Sequence, residues 1–217
     1  SNENNSEFVF YLREDARWSN GKPVTAIDFV YSWRRALSPE LASRNAYLAY
    51  DIQYAQSYNE GSVFVVDPES GNFLFEDEPV DSAVATTVNS AFPVGSAPDL
   101  YVNRDVRLTL PGDEDSRNAV LQGDERLASR IVGKKFIPVR AEDVGVEAVD
   151  DHTLIVNLVR PAPYFVGLVA HQAFKPVPRS VVEQYGDLWT NSQHIVTNGP
   201  FKLESWKPYN EIVMVKD

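Results

Sequence analysis

The chain has 217 residues, of which 43% are hydrophobic and 12% aromatic, with a formal net charge of −11 and no cysteine. This composition supports a real hydrophobic core, lacks the ~20-residue apolar run of a membrane span, and gives no basic cluster for nucleic acid or anionic lipid. The lack of cysteine excludes disulfides, thiol nucleophiles and cysteine-ligated zinc.

The first predicted unit is a strand, a turn and a helix. Aromatic and β-branched residues at 8–13 predict the strand, and Asn20-Gly21 predicts the turn. Thr25 is a good N-cap, and Asp28 three residues later completes a capping-box-like pair. Residues at spacings of three and four then predict one buried helix face, formed by Phe29, Trp33, Ala36 and Leu37.

The segment 41–58 is predicted to be part helix and part irregular, and it is rich in tyrosine. Four tyrosines recur every three or four residues and would line one face of a helix: Tyr47, Tyr50, Tyr54 and Tyr58. Such a stripe is more often core than binding site. Tyrosine also suits a wet ligand cleft, because its apolar ring carries a polar tip.

The next segment is strongly acidic. Residues 61–126 hold thirteen acidic and four basic residues, and so carry −9 of the total charge of −11. Two short strands at 63–66 and 73–75 flank turn residues and predict a hairpin. A helix is predicted over 123–132, with Leu127 and Ile131 as its apolar stripe.

A second hairpin is predicted over 144–149 and 153–158, because the later run alternates buried and exposed positions. A short apolar helix at 164–170 follows, and then a helix capped by Ser180. Residues 201–206 and 211–217 have strand-like sequences. The elements together predict an α+β fold, with antiparallel hairpins and helices packed on them.

Motifs for catalysis or metal binding are missing from the sequence. His152, His171 and His194 lack metal-ligand spacing, and the acidic triplets at 76–78 and 113–115 do not match a calcium loop. The adjacent pair Asp150-Asp151 is interpreted as turn chemistry rather than a catalytic dyad. We therefore predict no catalytic residue, no metal site and no cofactor.

Residues 18–37, WSNGKPVTAIDFVYSWRRAL, closely resemble the signature of the oligopeptide-binding proteins, family 5 of the extracytoplasmic solute-binding proteins of ABC importers. Further stretches match in the same order, namely GKK at 133–135, DDHTL at 150–154, PAPYF at 161–165 and NGPFKL at 198–203. Several ordered motifs at consistent spacing make the resemblance specific.

The resemblance implies a partial class II periplasmic-binding-protein-like fold, with a mixed or antiparallel sheet and flanking helices. Family members are more than twice as long, so the chain is expected to be a fragment. Residues 1–178 would form a small accessory domain with an acidic insertion at about 61–126, and residues 179–217 would begin a ligand-binding lobe.

The function implied is the substrate-binding component of an ABC transporter, which captures oligopeptides outside the cytoplasm and delivers them to the permease subunits. Such a protein is not an enzyme and needs no cofactor. It would be periplasmic or otherwise extracytoplasmic, with a lipid anchor left open. A sensor or interaction module on the same fold is a second possibility, and a different ligand such as nickel, haem or a sugar is a third.

Two residues are carried over as ligand-binding candidates. In many family members a tyrosine in a Ser-Pro-Tyr-Ala stretch after the first helix reaches the ligand. The corresponding stretch here is 43–47, where Asn45 occupies the tyrosine position and Tyr47 is a replacement candidate.

Overall fold

The computed structural model describes residues 1–76 and 106–217. The described strands are β1 (Glu7–Tyr11), β2 (Val63–Val66), β3 (Thr109–Leu110), β4 (Lys135–Pro138), β5 (Val146–Ala148), β6 (Thr153–Asn157), β7 (Phe201–Lys207) and β8 (Glu211–Lys216). The described α-helices are α1 (Ala26–Leu37), α2 (Ala55–Asn59), α3 (Glu114–Gly123), α4 (Glu125–Arg130), α5 (Phe165–Leu168) and α6 (Arg179–Tyr185). None of these helices is long and apolar enough to cross a membrane.

The strands form two three-stranded sheets, β1-β6-β5 and β3-β2-β4, and a separate hairpin β7-β8. All of these pairs are antiparallel. The α+β class predicted from the sequence is therefore confirmed.

The first sheet and α1 enclose the larger hydrophobic core. Strand β6 lies in the middle, where Val156 pairs with Phe8 on one side and Val146 on the other. The predicted hairpin of β5 and β6 is confirmed. Its alternation is real, since Leu154 and Val156 are at most 2% exposed while their neighbours are half-buried.

Helix α1 begins where the sequence predicts, directly after Thr25. The Asp28 carboxylate accepts hydrogen bonds from the Thr25 backbone N–H at 3.0 Å and from Trp18 Nε1 at 3.2 Å. The Ala26 N–H donates to the Asp151 carbonyl at 2.8 Å. The start of α1 is thus tied to the tip of the β5–β6 hairpin, which fixes the helix on its sheet.

The second sheet has its own small core, in which β2 is buried along its whole length. The predicted hairpin at 63–75 is only partly right. The turn forms, with the Asp67 N–H donating to the Asn72 carbonyl at 2.9 Å, but Phe73 and Phe75 contribute only isolated bridges. A buried strand must satisfy its backbone groups on both edges, and the ladder partners of β2 are β4 and β3.

The predicted tyrosine-lined helix face is wrong. The chain forms a 3-10 segment at Ala46–Ala49 and restarts as α2, with Tyr54 between them at a φ of 58°. A left-handed residue interrupts helical periodicity, so the tyrosines do not share one face. Tyr47 is 61% exposed, whereas Tyr50, Tyr54 and Tyr58 are half-buried.

Two further differences concern the helices. Helix α3 was not predicted, although Asp113 caps it by accepting from the Ser116 N–H at 2.8 Å. The cap assigned to Ser180 is wrong, because Pro178 is the N-cap of α6. Helix α4 lies within the predicted range, and Leu127 and Ile131 both pack in the second core as expected.

Residues 179–217 contact the rest of the chain through α6, where Val181 and Val182 are buried and Arg179 lies over the Tyr31 ring, and through hydrogen bonds. The Ser19 N–H donates to the Thr197 carbonyl at 2.6 Å, and the Thr197 N–H donates to Ser19 Oγ at 3.1 Å. Just before α6, the Val177 N–H donates to Ser32 Oγ on α1 at 2.7 Å. The domain boundary at 178 and the insertion at 61–126 stay predictions.

Candidate functional site

The two predicted ligand residues lie in one exposed segment after α1. Asn45 is the N-cap of the 3-10 segment Ala46–Ala49, and its carbonyl accepts from the Leu48 N–H at 3.1 Å. Tyr47 follows two residues later and is 61% exposed. Between them Ala46 is 5% exposed and anchors the segment in the core.

A cavity of about 90 Å³ opens beside Asn45. Its lining combines residues of α1, of the segment after it, and of the 3-10 segment Gln172–Phe174. The lining residues are Trp33, Ala36, Leu37, Ser43, Asn45, Ala46, Leu48, Ala49, Ala173 and Phe174.

The large walls of this cavity are held in place. Trp33 Nε1 donates to the Phe174 carbonyl at 2.8 Å, a fully buried hydrogen bond. The Trp33 and Phe174 rings meet edge to face with centroids 5.2 Å apart, a favourable aromatic geometry. Leu37, on the same side of α1, is completely buried.

The structure therefore places Asn45 at the cavity and Tyr47 outside its lining. Their contact with a ligand stays a prediction. Sequence reasoning missed the cavity, because Ala36, Ala49 and Ala173 come from three separate elements and carry no local pattern. Neither alanine count nor helical periodicity signals such an arrangement.

A larger cavity of about 800 Å³ lies between α2 and the connection from β3 to α3. Burial raises the pKa of Tyr54 and of Tyr50 at its wall. Two of its carboxylates have local partners, since Asp51 accepts from Tyr164 Oη at 2.9 Å and Asp113 caps α3. Asp51 and Asp113 at the wall of this cavity thus stabilise the fold around it.

Of the acidic pair at the β5–β6 tip, Asp150 makes a turn hydrogen bond through its side chain, as predicted. The Asp150 carboxylate accepts from the His152 N–H at 2.7 Å, and this bond holds the pKa of Asp150 below its usual value. His171 Nδ1 accepts a hydrogen bond from the Ala173 N–H. The His194 ring stacks on the Tyr185 ring, with the ring centroids 3.9 Å apart. Within residues 1–76 and 106–217, no three His, Asp or Glu residues group as metal ligands would.

The model of bacterial extracellular solute-binding proteins, family 5 Middle, matches residues 1–217. The chain belongs to this family. The family resemblance found at 18–37 and in the later motifs is thus confirmed.

Among curated relatives, the chain is 33% identical over 210 residues to the periplasmic oligopeptide-binding protein OppA of Salmonella typhimurium, covering 97% of the chain and 25% of that protein. It is 28% identical over 212 residues to the dipeptide-binding protein DppE of Bacillus subtilis, covering 98% of the chain and 25% of that protein. It is 26% identical over 211 residues to the probable deoxycholate-binding periplasmic protein YgiS of Escherichia coli, with 97% and 25% covered. The chain spans about a quarter of the length of these relatives.

Solved structures show the same fold. The substrate-binding domain of an oligopeptide ABC transporter from Bacillus anthracis aligns with a TM-score of 0.61 at 26% identity, covering 100% of this chain and 27% of that one. OppA of Haemophilus influenzae, solved in complex with RPPGFSPFR, aligns with a TM-score of 0.59 at 26% identity, covering 100% and 28%. The partial class II binding-protein fold expected from the resemblance is confirmed.

Proposed function

We propose that this protein is the substrate-binding component of an ABC transporter, which captures oligopeptides outside the cytoplasm and delivers them to the permease. The observation that carries the proposal is the match of the solute-binding family to all 217 residues. The arrangement of α1 on the β1-β6-β5 sheet supports it, since solved peptide-binding relatives align over the whole chain.

Peptide is favoured as the ligand by two kinds of observation. Two relatives that are 33% and 32% identical to the chain are named for oligopeptides, and one solved neighbour is a complex with a peptide. The candidate residues also suit peptide chemistry. The Asn45 amide both donates and accepts hydrogen bonds, as a peptide backbone does, and the exposed Tyr47 ring offers apolar surface with a polar tip.

Isothermal titration of the full-length protein with defined tripeptides tests this function. We expect saturable heat with peptides, and a loss of about fivefold in affinity for Asn45→Ala and for Tyr47→Ala. Tyr11→Ala is the matched control, because that ring is 81% exposed at the far end of β1. Titrations without heat for any peptide would refute peptide capture.

A second ligand class follows from one comparison. The relative named as a probable deoxycholate-binding protein is 26% identical over 211 residues, so this family also includes a protein named for a steroid acid. Competition between deoxycholate and a fluorescent peptide distinguishes the two ligands. Nickel, haem and a panel of sugars are tested in the same competition.

A sensor without transport would bind peptide yet fail to restore peptide uptake in a transporter mutant.

The location proposed is periplasmic or otherwise extracytoplasmic, and the role is binding rather than catalysis. The family is described as extracellular, and several relatives are named as periplasmic. A lipid anchor is tested by mass spectrometry of the mature N-terminus, where a diacylglyceryl cysteine would show anchoring. Release of an intact peptide after binding would support the non-enzymatic role.

A further inference from the structure

We infer that the cavity beside Asn45 is a specificity pocket for one small branched apolar side chain of the bound peptide. The inference rests on the proposed function and adds to it a chemical preference and the residues that set it. The observations that carry it are the size of the cavity, its wall chemistry and the polar residues at its edge.

The volume and the wall chemistry favour an apolar occupant. About 90 Å³ corresponds to about three water molecules at ~30 Å³ each, which is also the scale of a small aliphatic side chain. Apart from Ser43 and Asn45 at the edge, the walls are hydrocarbon, and the Trp33 N–H is already bonded to the Phe174 carbonyl. Water against these walls would find few hydrogen-bond partners, whereas an alkyl group would gain contacts with them.

Alanines hold the cavity open. Ala36, Ala49 and Ala173 all line it, while Trp33 and Phe174 are fixed by their hydrogen bond and ring contact. Protein interiors pack densely, so a void that cannot collapse lowers stability unless something fills it. A ligand side chain that fills it recovers this free energy on binding.

The edge of the cavity suits the backbone of the same ligand. Asn45 and Ser43 are the polar members of the lining. The Asn45 side-chain amide makes no hydrogen bond within residues 1–76 and 106–217, although its backbone N–H donates to Ser43 Oγ at 3.4 Å. A peptide whose side chain enters the cavity brings its own amide groups within reach of this free amide.

The test measures affinities of the full-length protein for alanine tripeptides in which each position in turn carries Gly, Ala, Val or Leu. At one position, we expect the protein to bind Val or Leu about tenfold more tightly than Ala. Ala36→Leu adds three carbon atoms inside the cavity. It should reduce this preference to below about twofold, because the space that would receive the Val or Leu side chain is filled.

Ala119→Leu is the matched control. It makes the same change on exposed α3, away from the cavity, and should keep the tenfold preference. If Ala36→Leu also keeps that preference, the cavity is only a packing void and the inference is wrong. Failure of the proposed function looks different, since the unaltered protein would then bind no peptide at any position.

Ala173→Val provides a smaller filling change, should Ala36→Leu fail to fold. A second readout is methyl NMR of the full-length protein. Methyl signals of Leu37 and Leu48 should shift more with the preferred peptide than with the all-alanine peptide, because both residues line the cavity. Equal shifts with both peptides would overturn the inference.

Discussion

Asp67 lies at the turn after β2 and joins that turn to the segment before β4. Its carboxylate accepts hydrogen bonds from the Glu69 and Ser70 N–H groups, each at 2.9 Å, and forms an ion pair with Lys134. The Lys134 ammonium and then these backbone donors hold the pKa of Asp67 well below its usual value. Because the folded pKa is depressed, Asp67 stabilises the fold above its unfolded pKa of about 3.9, and this contribution is lost as the pH falls.

Asp67→Asn should therefore lower stability at pH 7, and the difference from the unaltered protein should shrink progressively below about pH 4. Urea unfolding at pH 3 and pH 7 measures both values. Asp15→Asn is the control, because the Arg13–Asp15 pair is more than 70% exposed on both sides and exposed pairs contribute little. A deficit for Asp67→Asn that is as large at pH 3 as at pH 7 would contradict this account.

Gly112 marks a close approach of two backbones at the edge of the second sheet. A Cβ atom at this position would overlap the Gly61 carbonyl oxygen, which belongs to the backbone and cannot rotate away. We expect Gly112→Ala to destabilise the protein by about 2 kcal/mol or more. Gly123→Ala, at the end of α3 with open space around it, should be neutral or slightly stabilising. Thermal unfolding of the two variants gives the comparison, and equal melting temperatures would show that the contact relaxes.

At the scale of elements, Arg107 joins the second sheet to two segments outside it, at Tyr54 and at Asp143. Its guanidinium lies 4.1 Å from the Phe73 ring centroid and 5.3 Å from that of Phe64, and it pairs with Asp143 at 3.4 Å. Its backbone N–H donates to Tyr54 Oη at 2.8 Å. One residue thus contacts both the aromatic side of the second sheet and two residues outside it.

Arg107→Ala should destabilise the second sheet by about 1–2 kcal/mol, since it removes two cation–π contacts and an ion pair. Hydrogen exchange should become faster at the β2 amides and stay unchanged at β6, because the two cores are separate. Arg13→Ala controls for loss of a positive charge at an exposed position. Faster exchange in β6 as well would show that the two sheets unfold as one unit.

Local chemistry made some elements predictable. The capping residues Thr25 and Asp28 defined the start of α1, and the alternation around Leu154 and Val156 defined β6, because each signal lies within a few residues. The second sheet was harder. The partner of β2 is β4, about seventy residues away, and no local pattern distinguishes it from the nearer strand-like run at 73–75.

The same limit applies to the site. Asn45 and Tyr47 were found through a family resemblance. The structure adds a cavity, and of these two residues only Asn45 belongs to its lining. The tyrosine spacing misled, because the left-handed backbone at Tyr54 cannot be inferred from spacing alone. Contacts made between distant segments decide both the cavity and the break in the helix.

At the scale of the whole molecule, the β7–β8 hairpin stands out for exposed apolar side chains. Phe201, Trp206, Ile212 and Met214 are all more than half exposed. Register pairing places Trp206 opposite Ile212 and Leu203 opposite Met214, so one face of the hairpin is largely apolar. Such a surface is typical of a sheet that packs against more protein.

Because the chain spans about a quarter of its curated relatives, we predict that these 217 residues alone bind peptide weakly or not at all. Titration of this chain beside the full-length protein, with the same tripeptides, measures the difference. Micromolar binding by the 217 residues would show that they hold a complete peptide-binding site.

The chain enters the second sheet at Val63 and leaves it at Pro138, and these two residues are paired neighbours. Val63 pairs with Pro138, and the Val139 N–H donates to the Ser62 carbonyl at 3.0 Å. The points where the chain enters and leaves the second sheet therefore lie one strand spacing apart, about 4.8 Å. A short turn would close that gap at little entropic cost. We therefore predict that a short turn can replace the block between these two positions, while the β1-β6-β5 sheet and its helix keep their own contacts.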